Sequence, residues 1–132
     1  MSKFLLDASA VLAYLNREPG AERVGRALFE RPCLISSVNL TEVLTRLMDW
    51  GMSLEQAWTT IEDTNLHIIE YGTELARATA GLRPTTRPLG LSLGDRACLA
   101  TAKHLNATVL TADRAWLDLA PTMDIRIECV RP

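Results

Sequence analysis

The chain has 132 residues, 48% of them hydrophobic and 23% charged, with a formal net charge of −2. That is the composition of one compact globular domain, expected to span 1–132 and able to bury a core without disulfides or a structural metal. No stretch approaches the roughly 20 apolar residues that span a bilayer, and Asp7 interrupts the apolar run of "MSKFLLDASAV", which argues against a signal peptide.

In chain order, "KFLL" (Lys3 to Leu6) reads as a first strand, followed by a helical pattern from about Ala8 to Asn16. "EPG" breaks it, and a second helix is expected over Ala21 to Phe29. "CLIS" (Cys33 to Ser36) is strand-like and leads into a helix through about Asp49, stopped by Gly51. Ser53 and Glu55 open a further helix, "SLEQAWTTIEDT", which runs into the short strand "HII" (His67 to Ile69). Thr73 to Leu82 is helical, and "RPTTRPLG" reads as a loop with two prolines. "GLSLGDRACLATAKHL" is an amphipathic helix, "ATVLT" (Ala107 to Thr111) a strand, and Ala115 to Leu119 a short helix. "DIRIECV" (Asp124 to Val130) alternates as an edge strand does.

Short apolar strands alternating with helices predict an α/β sandwich around a mainly parallel sheet of four to five strands. In such folds the functional site lies beyond the carboxyl ends of the strands, near a reversal in strand order. Four acids fall in that kind of place. Asp7 follows the first strand and Asp113 the strand ending at Thr111; Glu42 lies in the early turns of the helix after "CLIS"; Asp95 opens the helix feeding the Asp113 strand.

Each acid also has a purely structural explanation. Asp7 and Asp113 suit helix N-caps, Ser92 and Asp95 have capping-box spacing, and Glu42 stands three residues after Asn39 in a capping-like arrangement. Capping alone does not account for all four at one sheet edge, because two unit charges 4 Å apart repel by about 4 kcal/mol at an effective dielectric of 20. Such a group raises its pKa values or takes up a cation. Carboxylates and water are the ligands of magnesium and manganese. His67 and His104 stand apart from each other and are expected to be structural or solvent-facing.

The motifs "FLLDASAVLAYL", "ISSVNLTEVL", "LSLGDRACLATAKHL" and "VLTADRAW", in this order and over nearly the whole chain, resemble the PIN domain and within it the VapC-like toxins of prokaryotic toxin–antitoxin pairs. The resemblance implies a PIN-like three-layer α/β/α sandwich. It also implies a metal-dependent endoribonuclease, typically a homodimer, held inactive by a small cognate antitoxin. On that reading Asp7, Asp95, Asp113 and Glu42 are both the catalytic and the metal-binding set, for one or two Mg²⁺ ions with Mn²⁺ as a substitute. Glu42 or Asp113 would take the proton of the attacking water.

Ser9 and Thr111, each two residues from an acid, are candidates to orient it. Local backbone hydrogen bonding is the competing role for both. Twelve of the fourteen basic residues are arginine, and no acid occurs between Leu75 and Gly94. Arg83 and Arg87 from that stretch, with Arg96 and Arg114, which directly follow two of the acids, are candidate RNA contacts, with surface salt bridges as the alternative. Asp118 reads as an exposed helix acid. Trp50 and Trp58 read as core residues, or as a surface for a second subunit or an antitoxin helix. Cys33, Cys98 and Cys129 lie far apart within apolar runs, which points to buried thiols in a reducing cytoplasm rather than disulfides or zinc.

Two other functions fit parts of the pattern. A PIN-like module that only binds RNA or a protein partner would keep the fold and have no need of four mutually repelling acids. Another α/β phosphoryl-transfer hydrolase of the haloacid-dehalogenase type also places an aspartate after its first strand, but needs a second acid where this chain has Ser9.

Overall fold

A computed structural model describes residues 3–132. Five strands form one sheet: β1 (Phe4–Leu6), β2 (Cys33–Ser36), β3 (His67–Ile69), β4 (Thr108–Thr111) and β5 (Ile127–Cys129). Their order is β3-β2-β1-β4-β5, and every pairing is parallel. The eight α-helices among the described residues are α1 (Ala8–Leu15), α2 (Ala21–Glu30), α3 (Ser37–Asp49), α4 (Leu54–Glu62), α5 (Thr73–Gly81), α6 (Arg83–Thr86), α7 (Leu93–Leu105) and α8 (Ala120–Met123).

The period-two alternation of a strand sorts the core into two halves. Phe4, Leu6, Ile35 and Leu110 face a cluster built with Val11, Val24, Val43, Leu47 and Ile61, so α1 to α4 cover that side. Leu5, Leu34 and Val109 face the other way, onto Cys98, Leu99, Trp116 and Met123. With both faces covered, the inner strands need apolar residues at every position, and "FLL" and "CLIS" are buried throughout. The result is the expected three-layer sandwich.

The chain enters at the centre of the sheet, builds β2 and β3 outward on one side, then returns to lay β4 and β5 on the other. Strand order therefore reverses between β1 and β4. Connections leaving these two strands part in opposite directions and open a crevice at their carboxyl ends. α7 borders that crevice. It is buried from Ala97 to Ala102, and Asn106, in the left-handed conformation at φ 53°, ends it before β4.

Two stretches differ from expectation. "RPTTRPLG" is not an open loop: Arg83–Thr86 is a helical turn and Arg87–Leu89 a 3₁₀ turn. Each carries its proline in the first turn, where the fixed φ suits a helix and the missing N–H has no partner to lose. Beyond Asp113, the short helix is a 3₁₀ segment, Arg114–Leu119, and α8 follows it directly with Pro121 in its first turn. No helix among the described residues is long and apolar enough to cross a membrane.

Candidate active site

Asp7 closes β1 and caps α1. Its Oδ1 accepts the Ala10 backbone N–H at 2.8 Å, so the capping role anticipated from sequence is present. The same carboxylate also accepts the Ser9 hydroxyl, 2.8 Å from Oδ1 and 2.9 Å from Oδ2, and the Thr111 hydroxyl at 2.6 Å from Oδ2. Asp7 is only 4% exposed and has no cationic partner among the described residues. Burial pushes its pKa up to about 6; the hydrogen bonds from Thr111, Ala10 and Ser9 oppose that rise, and the nearby charge of Asp95 adds to it. Loss of solvent, rather than the clustering anticipated from sequence, is thus the leading cause of the rise at Asp7, and the charge of Asp95 is the smallest contribution.

Ser9, in the first turn of α1, and Thr111, the last residue of β4, tie these two elements together. Besides binding Asp7, the Ser9 hydroxyl accepts the Ala112 N–H at 2.9 Å, and Thr111 Oγ1 accepts the Asp113 N–H at 3.0 Å. Asp113 caps the 3₁₀ segment through the Ala115 N–H at 3.0 Å and is exposed. Asp95 forms the capping box with Ser92, its Oδ2 accepting the Ser92 N–H at 3.0 Å. A carboxylate has two oxygens and about four acceptor positions. Capping occupies one oxygen each of Asp95 and Asp113 and leaves both able to bind elsewhere.

Glu42 does not cap α3; Ser36 does, through the Val38 N–H. Glu42 is held instead by Asn39, whose Nδ2 donates to Glu42 Oε1 at 2.7 Å and to the Gly94 carbonyl at 3.1 Å. Gly94 is the surface on which the carboxylate rests. A Cβ there would stand 2.4 to 2.6 Å from the three carboxyl atoms of Glu42. α3 and α7, on opposite faces of the sheet, thus meet across its carboxyl edge through Asn39, Glu42 and Gly94.

All four acids line one cavity of about 330 Å³, with Ser9, Asn39, Glu18, Arg46, Trp50, Trp116 and Arg131 among its other walls. Beneath it, Cys98 registers the convergence: burial raises its thiol pKa well above the ordinary value, and the charges of Asp7, Asp95 and Glu42 raise it further. Sequence reasoning paired Asn39 with Glu42 only as a capping arrangement and missed Arg46 and Arg131. The hydrogen-bonding capacity of Asn39 three residues before Glu42 was a signal; no local pattern marks the two arginines. Of the proposed RNA contacts, Arg114 lines the adjoining cavity with Ser9, Asp113 and Arg131 and donates to the Pro132 carbonyl at 2.9 Å. Arg96 reaches toward the Thr79 carbonyl, 3.4 Å away, and neither it nor Arg83 nor Arg87 lines the acidic cavity.

Among the described residues no three His, Cys, Asp or Glu side chains stand close enough to enclose a bare ion. The donor set is nevertheless all oxygen, and it includes a buried carboxylate without a cation. That would suit a hard divalent ion that keeps part of its water shell.

A parallel α/β sandwich with acids gathered where strand order reverses defines the class of protein. More narrowly, the PIN domain model matches residues 4–120, and the chain belongs to the PIN-domain family. Solved structures share the fold. One is a VapBC2 complex from Rickettsia felis bound to a promoter DNA fragment, with a TM-score of 0.73, 18% identity and coverage of 96% of this chain and 98% of that one. A DNA-bound VapBC from Salmonella typhimurium gives a TM-score of 0.73 at 22% identity, covering 98% and 99% of the two chains. FitAcB from Neisseria gonorrhoeae gives 0.73 at 20%, covering 96% and 97%. No curated protein compared with the chain matches it.

Proposed function

We propose that this protein is a metal-dependent endoribonuclease and the toxin of a toxin–antitoxin pair. The observation that carries the proposal is the buried, cation-free Asp7 carboxylate at the strand reversal, in one cavity with Glu42, Asp95 and Asp113. Burying an unpaired carboxylate is costly. A fold that retains one beside three other acids is arranged for a positive ligand.

Asp7, at the end of β1, and Asp95, in the first turn of α7, would hold the ion together with Asp113 and Glu42, which line the same cavity. A bound Mg²⁺ or Mn²⁺ supplies acidity to water and positive charge to the phosphodiester oxygens. Ser9 and Thr111 fix the rotamer of Asp7. Thr111 also holds the backbone at Asp113, so the two acids keep their spacing. Glu42, exposed at its head and clamped by Asn39, and Asp113, exposed on the far side, are the groups able to take a proton from the attacking water. Arg46, Arg114 and Arg131 offset the negative field that would otherwise repel RNA.

The fold is shared with chains from VapBC and FitAcB structures, and toxin–antitoxin complexes occur among the other structural neighbours. That likeness supports a small antitoxin as a protein partner. Homodimerisation and a cytoplasmic location belong to the same proposal.

The test is cleavage of a mixed RNA pool by protein freed of co-purifying partners, in Mg²⁺, Mn²⁺ or EDTA, beside folded Asp7→Asn and Asp95→Asn variants. Cleavage that requires metal and disappears in both variants supports the proposal. Cleavage indifferent to EDTA and to both variants reports a contaminant. Calorimetric Mn²⁺ binding that is absent in the wild type refutes the metal site and leaves a binding module.

A further inference from the structure

We propose that Trp50 and Arg46 form a subsite for one unpaired nucleotide of single-stranded RNA, beside the position of the scissile phosphate. The inference rests on the nuclease reading for its orientation but on separate residues. Glu42, Arg46 and Trp50 stand at i, i+4 and i+8, with Trp50 the residue that closes α3, so all three lie on one face. The helical rise places Arg46 about 6 Å and Trp50 about 12 Å beyond Glu42 along the axis. All three line the acidic cavity, and Arg131 faces it from the segment after β5.

Packing does not account for either residue. Trp50 is 46% exposed, and the Arg46 side chain has no hydrogen bond or ion pair with the described residues. A half-exposed tryptophan lining the proposed phosphodiester site suits a nucleobase. Stacking on an aromatic ring contributes substantially for every base, and an arginine one turn away is placed to contact the adjoining phosphate. A base inside a duplex is already stacked on its neighbours and has no free face for the indole, so the subsite selects unpaired nucleotides. Trp50 thereby becomes a residue of substrate choice rather than of core packing.

Binding is measured in the Asp7→Asn background, which leaves the RNA intact. The probes are a short mixed-sequence single-stranded oligoribonucleotide and the same strand annealed to its complement. Trp50→Ala is expected to weaken single-strand binding about 5- to 150-fold, the factor that corresponds to one stacked base. Its duplex affinity should be unchanged, and Trp50→Phe should stay within a few-fold of tryptophan. Arg46→Ala should instead lower the slope of log affinity against log salt by about 0.7, the value for one phosphate contact on a single strand.

Equal single-strand affinity in Trp50→Ala, an equal loss for duplex, or no RNA binding by any form overturns the subsite. So does a Trp50→Ala protein that loses self-association while binding RNA normally, which would assign the indole to a protein contact. Wild-type protein that cleaves no RNA yet binds single strands through Trp50 refutes the nuclease and keeps the subsite. Metal-dependent cleavage with an indifferent Trp50 does the reverse.

Discussion

The Asn39 side chain donates to Glu42 Oε1 at 2.7 Å and to the Gly94 carbonyl at 3.1 Å. Both partners are acceptors, so only the amide nitrogen can face them, and the orientation of the amide follows from chemistry. Asn39 is 1% exposed, and its Oδ1 has no partner among the described residues, an unfavourable arrangement kept alongside two donated bonds. Asn39→Asp presents oxygen to both acceptors and should expel Glu42. Loss of such an outer partner commonly lowers metal affinity or activity 10- to 100-fold. The check is Mn²⁺ titration calorimetry and kcat on RNA; wild-type values for both in a folded variant would show that Asn39 does not position Glu42.

Gly94→Ala approaches the same contact from below. Its Cβ would stand within 2.6 Å of the Glu42 carboxyl group, so the carboxylate must swing away. The expected outcome is a fall in kcat of the same order as in Asn39→Asp, with less loss of stability, since the displaced group can turn toward solvent. Thermal melting read beside single-turnover cleavage separates the two effects.

The raised pKa of Asp7 makes metal-free stability depend on pH. An acid whose pKa is higher in the folded state than in the unfolded chain penalises folding in full above its folded pKa, and the penalty fades as pH falls toward the unfolded value. For Asp7 the window runs from about 6 downward to the ordinary carboxylate range near 3.8, and the full penalty is on the order of 3 kcal/mol. In EDTA, Asp7→Asn should therefore melt higher than wild type at pH 8, by roughly 10 °C. The gap should shrink as pH falls through 6. A gap that stays constant between pH 8 and pH 5 would contradict the burial argument. Mn²⁺ should raise the wild-type Tm and leave that of Asp7→Asn nearly unchanged.

Thr111→Val removes the donor 2.6 Å from Asp7 Oδ2 and strands the Asp113 N–H. That hydrogen bond to Asp7 is the largest influence lowering its pKa, so its loss moves the upper edge of the pH window above 6. A stability loss of about 1–3 kcal/mol accompanies it. Ser9→Ala shifts that upper edge in the same direction by a smaller amount. Denaturant titrations of metal-free protein across pH read both quantities.

A control lies outside the cavity's acids. Gly20 has φ 102°, and a Cβ there would sit 2.8 Å from Val130 Cγ2. Gly20→Ala should cost about 1–3 kcal/mol, lowering Tm while leaving Mn²⁺ affinity of the folded protein intact. A variant that loses metal binding together with stability would tie the α2 entry to the site.

Much of this protein was legible in one dimension because its rules are local. Apolar runs such as "FLL" and "CLIS" mark strands covered on both faces, and the capping box at Ser92 is visible as spacing. The positions of Asp7, Asp95 and Asp113 follow from where strands end and helices begin, so the acids could be named before the sheet was known. Turn conformation was less readable: the prolines of "RPTTRPLG" signal a break in one helix and equally suit the first turn of the next. The cradle of Asn39 and Gly94 around Glu42, the Thr111 bond across strands to Asp7, and the choice of Arg46 and Arg131 over Arg83 and Arg87 as cavity walls belong to the tertiary structure. Each depends on which strand lies beside which and how α3 crosses α7, and residues 55 or 104 positions apart carry no mark of one another in the chain until the sheet brings them together.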